Sequence, residues 1–193
     1  MNKTFSQLKI STLLILTFFL LFTTNSDAQN PSKEKLARTL ISKQISGESD
    51  DISNIPEMVL TSETYSSKSG VTHLYFQQYH KGIPVNRSII DIHIDSKDQL
   101  VVFNTRQVDV SKAPASIVPS ISAEKAVEMA ANHFGYKMSK KMSMMENKGG
   151  ITREVKYQLD ELSKESIPVK LMWQPMEDGS IYLTWDLSIY ELS

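Results

Sequence analysis

The chain has 193 residues, a formal charge of −1 and no cysteine. Near-neutrality removes any global electrostatic pull toward nucleic acid, and the missing thiols exclude disulfides and thiolate metal ligands. Hydrophobic residues make up 40% of the sequence, so a folded core must be held by packing alone.

Lys3 and Lys9 precede the apolar run Ile10–Phe22, and Ser26-Asp27-Ala28 places small residues where a signal peptidase reads them. The pattern predicts a secretory signal over residues 1–28, cut between Ala28 and Gln29. The apolar run is shorter than the ~20 residues a membrane span needs. The expected mature protein is therefore secreted, extracellular or periplasmic, with no membrane association once the signal is removed.

The stretch Gln29–Gly47 predicts a helix: Pro31-Ser32 can open it, and Leu36, Leu40, Ile41 and Ile45 recur at helical spacing. Glu48–Asn54 reads as a polar loop. Met58–Tyr65 and Val71–Tyr79 are β-prone. Lys81-Gly82 then breaks the run, with Ile83-Pro84-Val85 as a corner. Ser88–Asp95 alternates Ile90, Ile92 and Ile94 against Asp91, His93 and Asp95, and Leu100–Val108 is another strand. Four strands without an intervening helix predict an antiparallel meander with one face covered by the leading helix.

Ser111–Ser120, with Pro114 and Pro119, reads as a linker. Ser122 is placed to cap a helix through Phe134, ended by Gly135, whose stripe is Ala126, Val127, Met129, Ala130 and Phe134. Lys137–Gly150 reads as a mobile, methionine-rich insertion. Three strands follow, Ile151–Leu159, Pro168–Pro175 and Ile181–Glu191, the last two joined by the turn Glu177-Asp178-Gly179-Ser180. The expected fold class is α+β: two small units, each a helix packed on an antiparallel sheet, over residues 29–110 and 121–193, joined by 111–120.

Chemistry is hard to find. The histidines His73, His80, His93 and His133 are scattered, with no His-Glu-x-x-His helix, no nucleophile elbow and no phosphate loop. Asp91, His93 and Asp95 alternate on one strand, as metal ligands of a hydrolase would. Same-face residues of one strand stand ~7 Å apart, however, too wide for three ligands on one ion without rearrangement. Glu161, Glu165, Glu177 and Asp178 read as solvated turn residues, and Tyr75, Phe76 and Tyr79 beside Lys81 as strand packing. Met138, Met142, Met144 and Met145 read as a loose loop or an adaptable contact surface. Trp173 and Trp185 are expected in the core. The sequence offers no catalytic, cofactor-binding or metal-binding residue.

Thr72–Val85 resembles the central strand of the fungalysin/thermolysin propeptide domain, in which Gln-x-Tyr is followed by a short corner ending Gly-Ile/Val-Pro-Val. Here those positions are Gln77, Tyr79, Gly82, Ile83, Pro84 and Val85. The second half is similar to the PepSY-like unit that often comes next, with Ile121–Ala126 opening a helix, then Val169–Pro175 and Leu183–Leu187. The resemblance implies a cystatin-like unit followed by a PepSY-like one. It also implies a secreted propeptide of a zinc metalloprotease precursor that assists folding of the protease domain and keeps it inactive. The partner would be the cognate metalloprotease domain, in cis or in trans, and the zinc would sit there, not here. Matching positions belong to the propeptide, so none is catalytic; they are expected to set the fold and to contact the protease. Either a longer precursor continues past Ser193, or the protein stands alone as a secreted protease inhibitor or a non-catalytic peptide- or surface-binding module.

Overall fold

The computed structural model describes residues 32–47 and 56–190. The expected signal segment with Ala28 and Gln29, and the loop at 48–54, lie outside the described residues. No helix among the described residues is long and apolar enough to cross a membrane.

Helix α1, Glu34–Ser46, forms where the sequence pattern puts it. Glu34 sits in its first turn and pairs with Arg38 one turn on, at 2.7 Å. Ala37 and Ile41 are buried in a cluster with Leu74, Phe76, Ile90 and Ile92, and Leu36, Leu40 and Ile45 pack at its margin. Lys33 pins the start of the helix: its backbone N–H donates to Glu63 Oε1 at 2.7 Å, and its Nζ donates to Asp95 O at 2.6 Å and Asp98 Oδ1 at 2.8 Å.

Beneath α1 lies the expected antiparallel meander, β1 (Glu57–Ser66), β2 (Val71–His80), β3 (Ile83–Ile94) and β4 (Leu100–Thr105). Its alternation is that of the sequence: Leu74, Phe76, Ile90, Ile92 and Ile94 are buried, while Tyr75 and His73 take the other face. Ile83-Pro84-Val85 is not a corner. These residues open β3 and are buried, and the reversal is confined to Lys81-Gly82, both at positive φ. Expected to reach Val108, β4 ends at Thr105, because the Gln78 side-chain amide takes over Val108: its Nε2 donates to Val108 O at 2.9 Å and its Oε1 accepts from Val108 N at 3.0 Å.

The second half contains α2 (Ala123–His133), β5 (Ser143–Gly149), β6 (Glu154–Gln158), β7 (Ile167–Pro175) and β8 (Ile181–Leu187), with the strands in the order β5-β6-β7-β8. Ser122 caps α2 as expected, its hydroxyl accepting from Lys125 N at 3.1 Å. The buried face of α2 is Ala123, Ala126, Val127 and Ala131; Met129 and Phe134, placed on the stripe by the sequence reading, are exposed. Phe134 is the C-cap, where the chain leaves helical geometry and turns away. Four strands stand where three were expected. The segment Lys137–Gly150 is not an insertion without structure, since its second half is β5, paired with β6. Met138 and Met142 pack against the core beside Tyr157 and Leu159, while Met144 and Met145 are exposed.

The described residues form an α+β fold, with two helices and a mostly antiparallel sheet. Among the described residues the one parallel pairing is between β3 and β7, at Val85 opposite Trp173. Around it Ile83, Val85, Leu171, Trp173 and Ile181 form a buried cluster, against which Val108, Val110, Ala113 and Ile117 also pack. Residues 111–120 are thus laid along this cluster, with Lys81 Nζ donating to Ala115 O at 2.8 Å and to Pro114 O at 3.3 Å.

Candidate functional site

The β2–β3 hairpin carries the sequence pattern, and its geometry says what each residue does. Between Gln77 and Tyr79 the pairing with β3 slips: Gln77 stands opposite Ile89, but Tyr79 stands opposite Pro84. The extra β3 residues form a bulge with Arg87 at φ 57. A bulge leaves carbonyls without ladder partners, and Gln77 fills that role. Its Nε2 lies 2.6 Å from Val85 O, 2.8 Å from Ser88 O and 3.1 Å from Gln78 O, and its two N–H protons serve the two nearer carbonyls. On the opposite side Ser88, fully buried, places its hydroxyl against Gln78 Oε1 and 2.9 Å from Arg106 O, its single proton serving one acceptor at a time.

At the tip, Gly82 adopts φ 73, the left-handed region, and a Cβ there would lie 2.9 Å from Ile151 Cδ1. Beyond it, Ile83, Pro84 and Val85 are buried, with Ile83 and Val85 in the cluster around Trp173. The Trp173 indole N–H donates to His80 O at 2.9 Å, and the two rings stand 5.6 Å apart. Burial, reinforced by the neighbouring Lys81 charge, lowers the His80 pKa from its ordinary value, with Glu57 opposing. Asn86 Nδ2 adds a further tie across to Gln174 Oε1 at 2.7 Å. Tyr79 is half-buried and lines, with Glu57, His80, Lys81, Val108 and Asp109, a cleft of about 460 Å³.

Residues 57–106 match the Fungalysin/Thermolysin Propeptide Motif.

The matched span runs from the first residue of β1 to Arg106, whose backbone N–H donates to Ile89 O just past β4. The propeptide motif therefore coincides with the whole meander, and the Gln77 latch, the Gly82 turn and the buried Ile83–Val85 lie inside it. The motif is named for a propeptide, the non-catalytic part of a protease precursor. The match does not extend to residues 121–193, where a PepSY-like unit is expected. No curated protein matches the chain.

Elsewhere the candidate residues fall apart. The Asp95 carboxylate accepts from Lys97 N at 2.8 Å and Gln99 N at 2.9 Å, bonds that hold its pKa below the usual carboxylate value. Asp91 Oδ1 accepts from Asn104 Nδ2 at 2.9 Å, and the His93 ring stacks edge-on with His73 across the sheet, centroids 4.3 Å apart. The three are not brought together, and among the described residues no group of three or more His, Asp or Glu side chains gathers to hold a metal ion. Glu161 does more than face solvent: it accepts from Ser139 N at 2.7 Å, Ser139 Oγ at 2.6 Å and Lys140 N at 2.8 Å, tying the segment before β5 to the loop after β6. Trp173 is core, as expected, while Trp185 is half-buried with its indole N–H donating to Ile121 O at 2.9 Å. The sequence pattern does not reveal the buried tie that Gln78 and Ser88 make to Val108 and Arg106. Its one trace in the sequence is polar residues at two positions where the alternation calls for apolar ones.

Proposed function

We propose that this chain is the propeptide region of a secreted zinc metalloprotease precursor of the fungalysin/thermolysin type, and that it acts as a folding assistant and inhibitor of a protease domain. The single observation that carries the reading is the match of residues 57–106 to the propeptide motif, spanning β1 to β4. The architecture supports it: the motif residues are spent on internal ties, with Gln77 closing the bulge and Ile83 and Val85 buried. That leaves a rigid, shaped surface suited to templating another domain. In this reading the zinc belongs to the protease domain, and Ala28–Gln29 is the point of signal removal. On the same reading, residues 29–110 are the propeptide-motif unit and residues 121–193 a PepSY-like unit, joined by 111–120. Tyr79, half-buried at the cleft, is the motif residue free to touch the protease; Ile83, Pro84 and Val85 act through the fold.

The test is in trans. Purified protein is added to a refolding fungalysin-type protease domain, and both the yield of active enzyme and the steady-state inhibition of mature enzyme are followed. The expected result is a higher refolding yield and saturable inhibition. If neither responds to a many-fold excess of the chain, the reading is wrong.

A further inference from the structure

The face of the meander turned away from α1 carries a row of four residues, one from each strand. They are Thr64, His73, His93 and Val102, each directly opposite the next. His73 and His93 are both half-buried, and their rings meet edge to face with centroids 4.3 Å apart. His93 Nε2 is buried and has no hydrogen-bond partner, and among the described residues no other buried side-chain nitrogen or oxygen is in that state. Buried polar atoms are paired as a rule, and one that is not calls for a cause, a bound ion among them. The neighbours do not supply a partner. Val102 has no polar side-chain atom, and Asp91, two residues along β3, has its Oδ1 engaged by Asn104 Nδ2 at 2.9 Å.

Directly opposed residues of an antiparallel pair set their Cβ atoms about 4.5–5.5 Å apart. An imidazole nitrogen binds a divalent transition ion at about 2.0–2.1 Å, so two of them on one ion stand roughly 3 Å apart. Rings with centroids 4.3 Å apart come to that spacing once the His73 ring turns so that its nitrogen and His93 Nε2 point at one position. This is the reach that Asp91, His93 and Asp95 lack, because residues alternating along one strand stand ~7 Å apart. The partner of His93 lies across the sheet, and the β2–β3 register is what brings it there.

We propose that His73 and His93 form a two-imidazole site for a divalent transition ion of the copper(II) or zinc(II) type. Imidazole suits these ions, whereas magnesium and calcium take oxygen ligands. Water fills the remaining positions, since among the described residues no group of three or more His, Asp or Glu gathers. Two protein ligands make an exchangeable site rather than the seat of a resident cofactor. Its effect is local: the ion clips β2 to β3 within residues 57–106 and stabilises the folded meander. The site concerns this chain's own histidines and not the zinc of a protease domain. The inference therefore goes beyond the propeptide reading and stands or falls apart from it.

The experiment titrates the full chain with copper(II), zinc and magnesium chlorides, follows binding by calorimetry, and repeats the titrations on variants. The expected result is one copper or zinc ion per chain with a micromolar dissociation constant, copper held tighter than zinc, and no magnesium bound. His73→Phe and His93→Phe keep a ring in the sheet, and each should weaken both ions at least tenfold. The chain has four histidines, so His80→Gln combined with His133→Gln leaves the proposed pair alone and should bind as the parent does. Zinc should raise the melting temperature of the parent and of that double variant, and should not move either phenylalanine variant. Should a phenylalanine variant lose the parent circular dichroism spectrum, the other one and the double variant decide. Absence of binding up to millimolar copper or zinc overturns the proposal. So do binding that survives both phenylalanine substitutions, binding lost in the double variant, and equal binding of magnesium.

Discussion

Gln77 and Val85 are joined across the β2–β3 turn by a 2.6 Å hydrogen bond from the Gln77 side-chain amide to the Val85 carbonyl. The second N–H of the same amide reaches Ser88 O at 2.8 Å, so one side chain satisfies two carbonyls that the bulge leaves without ladder partners. Stranding such groups costs about 1–3 kcal/mol. Gln77→Leu is expected to lose about that much stability, read as a lower urea midpoint at unchanged slope. Gln77→Glu, which keeps the shape but presents no donor at neutral pH, should lose at least as much.

At Gly82 two effects compete, the positive φ and the approach of Ile151. The nearest atom is the far end of a flexible side chain, which can move, so the backbone term dominates, at about 1–2 kcal/mol for an L-residue. Gly82→Ala should destabilise by about that amount and Gly82→Val by more. Adding Ile151→Ala to Gly82→Ala should recover little. A double-mutant cycle with large coupling would show that the contact, not the conformation, is decisive.

Trp173 is fully buried and its indole holds the His80 carbonyl. Trp173→Ala should cost about 3–5 kcal/mol, a large share of the ~5–15 kcal/mol typical of a domain. Trp173→Phe keeps most of the ring but strands the carbonyl, and should cost about 1–3 kcal/mol. Chemical denaturation followed by far-UV circular dichroism measures both.

The lowered pKa of His80 has a sign that can be checked. The folded state resists protonation more than the unfolded chain does, so below the ordinary histidine value of about 6.5 the unfolded state holds more protons. Stability is retained above that pH and declines as pH falls below it. The urea midpoint should drop between pH 7.5 and pH 5, and His80→Gln should flatten that slope relative to the parent. An identical slope in the variant would remove His80 as the cause.

The buried face of α2 and its C-cap give a contrast. Val127 is fully buried, whereas Phe134 is 71% exposed. Val127→Ala should cost on the order of 2 kcal/mol, and Phe134→Ser should stay within about 0.5 kcal/mol. Thermal melts of the pair separate them.

The sequence pattern made the meander and both helices legible, because Ile90, Ile92 and Ile94 alternate cleanly and Ser122 is a local cap. It failed where partners are remote. Ser-Met-Met-Glu-Asn-Lys-Gly has no β alternation, and β5 exists because β6 supplies a ladder and Lys156 meets Glu146 at 2.7 Å. Ile83-Pro84-Val85 reads as a corner on local rules, but its burial depends on Trp173, far along the chain. Gln77 and Tyr79 were legible as a pattern; that Gln77 is a latch required the register slip to be seen.

The contact of Val85 with Trp173 also bears on how the chain is made. A chain emerging from its N-terminus completes β1 to β4 and α1 well before β7 exists, leaving Ile83 and Val85 without their neighbours. Closing so long a loop is slow, and until it closes the half-made protein bears an apolar strip on the strand that must later be shared. Synthesis order thus sets an interval of sticky half-folding that ends only when Ile167–Pro175 arrives, and agents that shield exposed apolar surface should act within it.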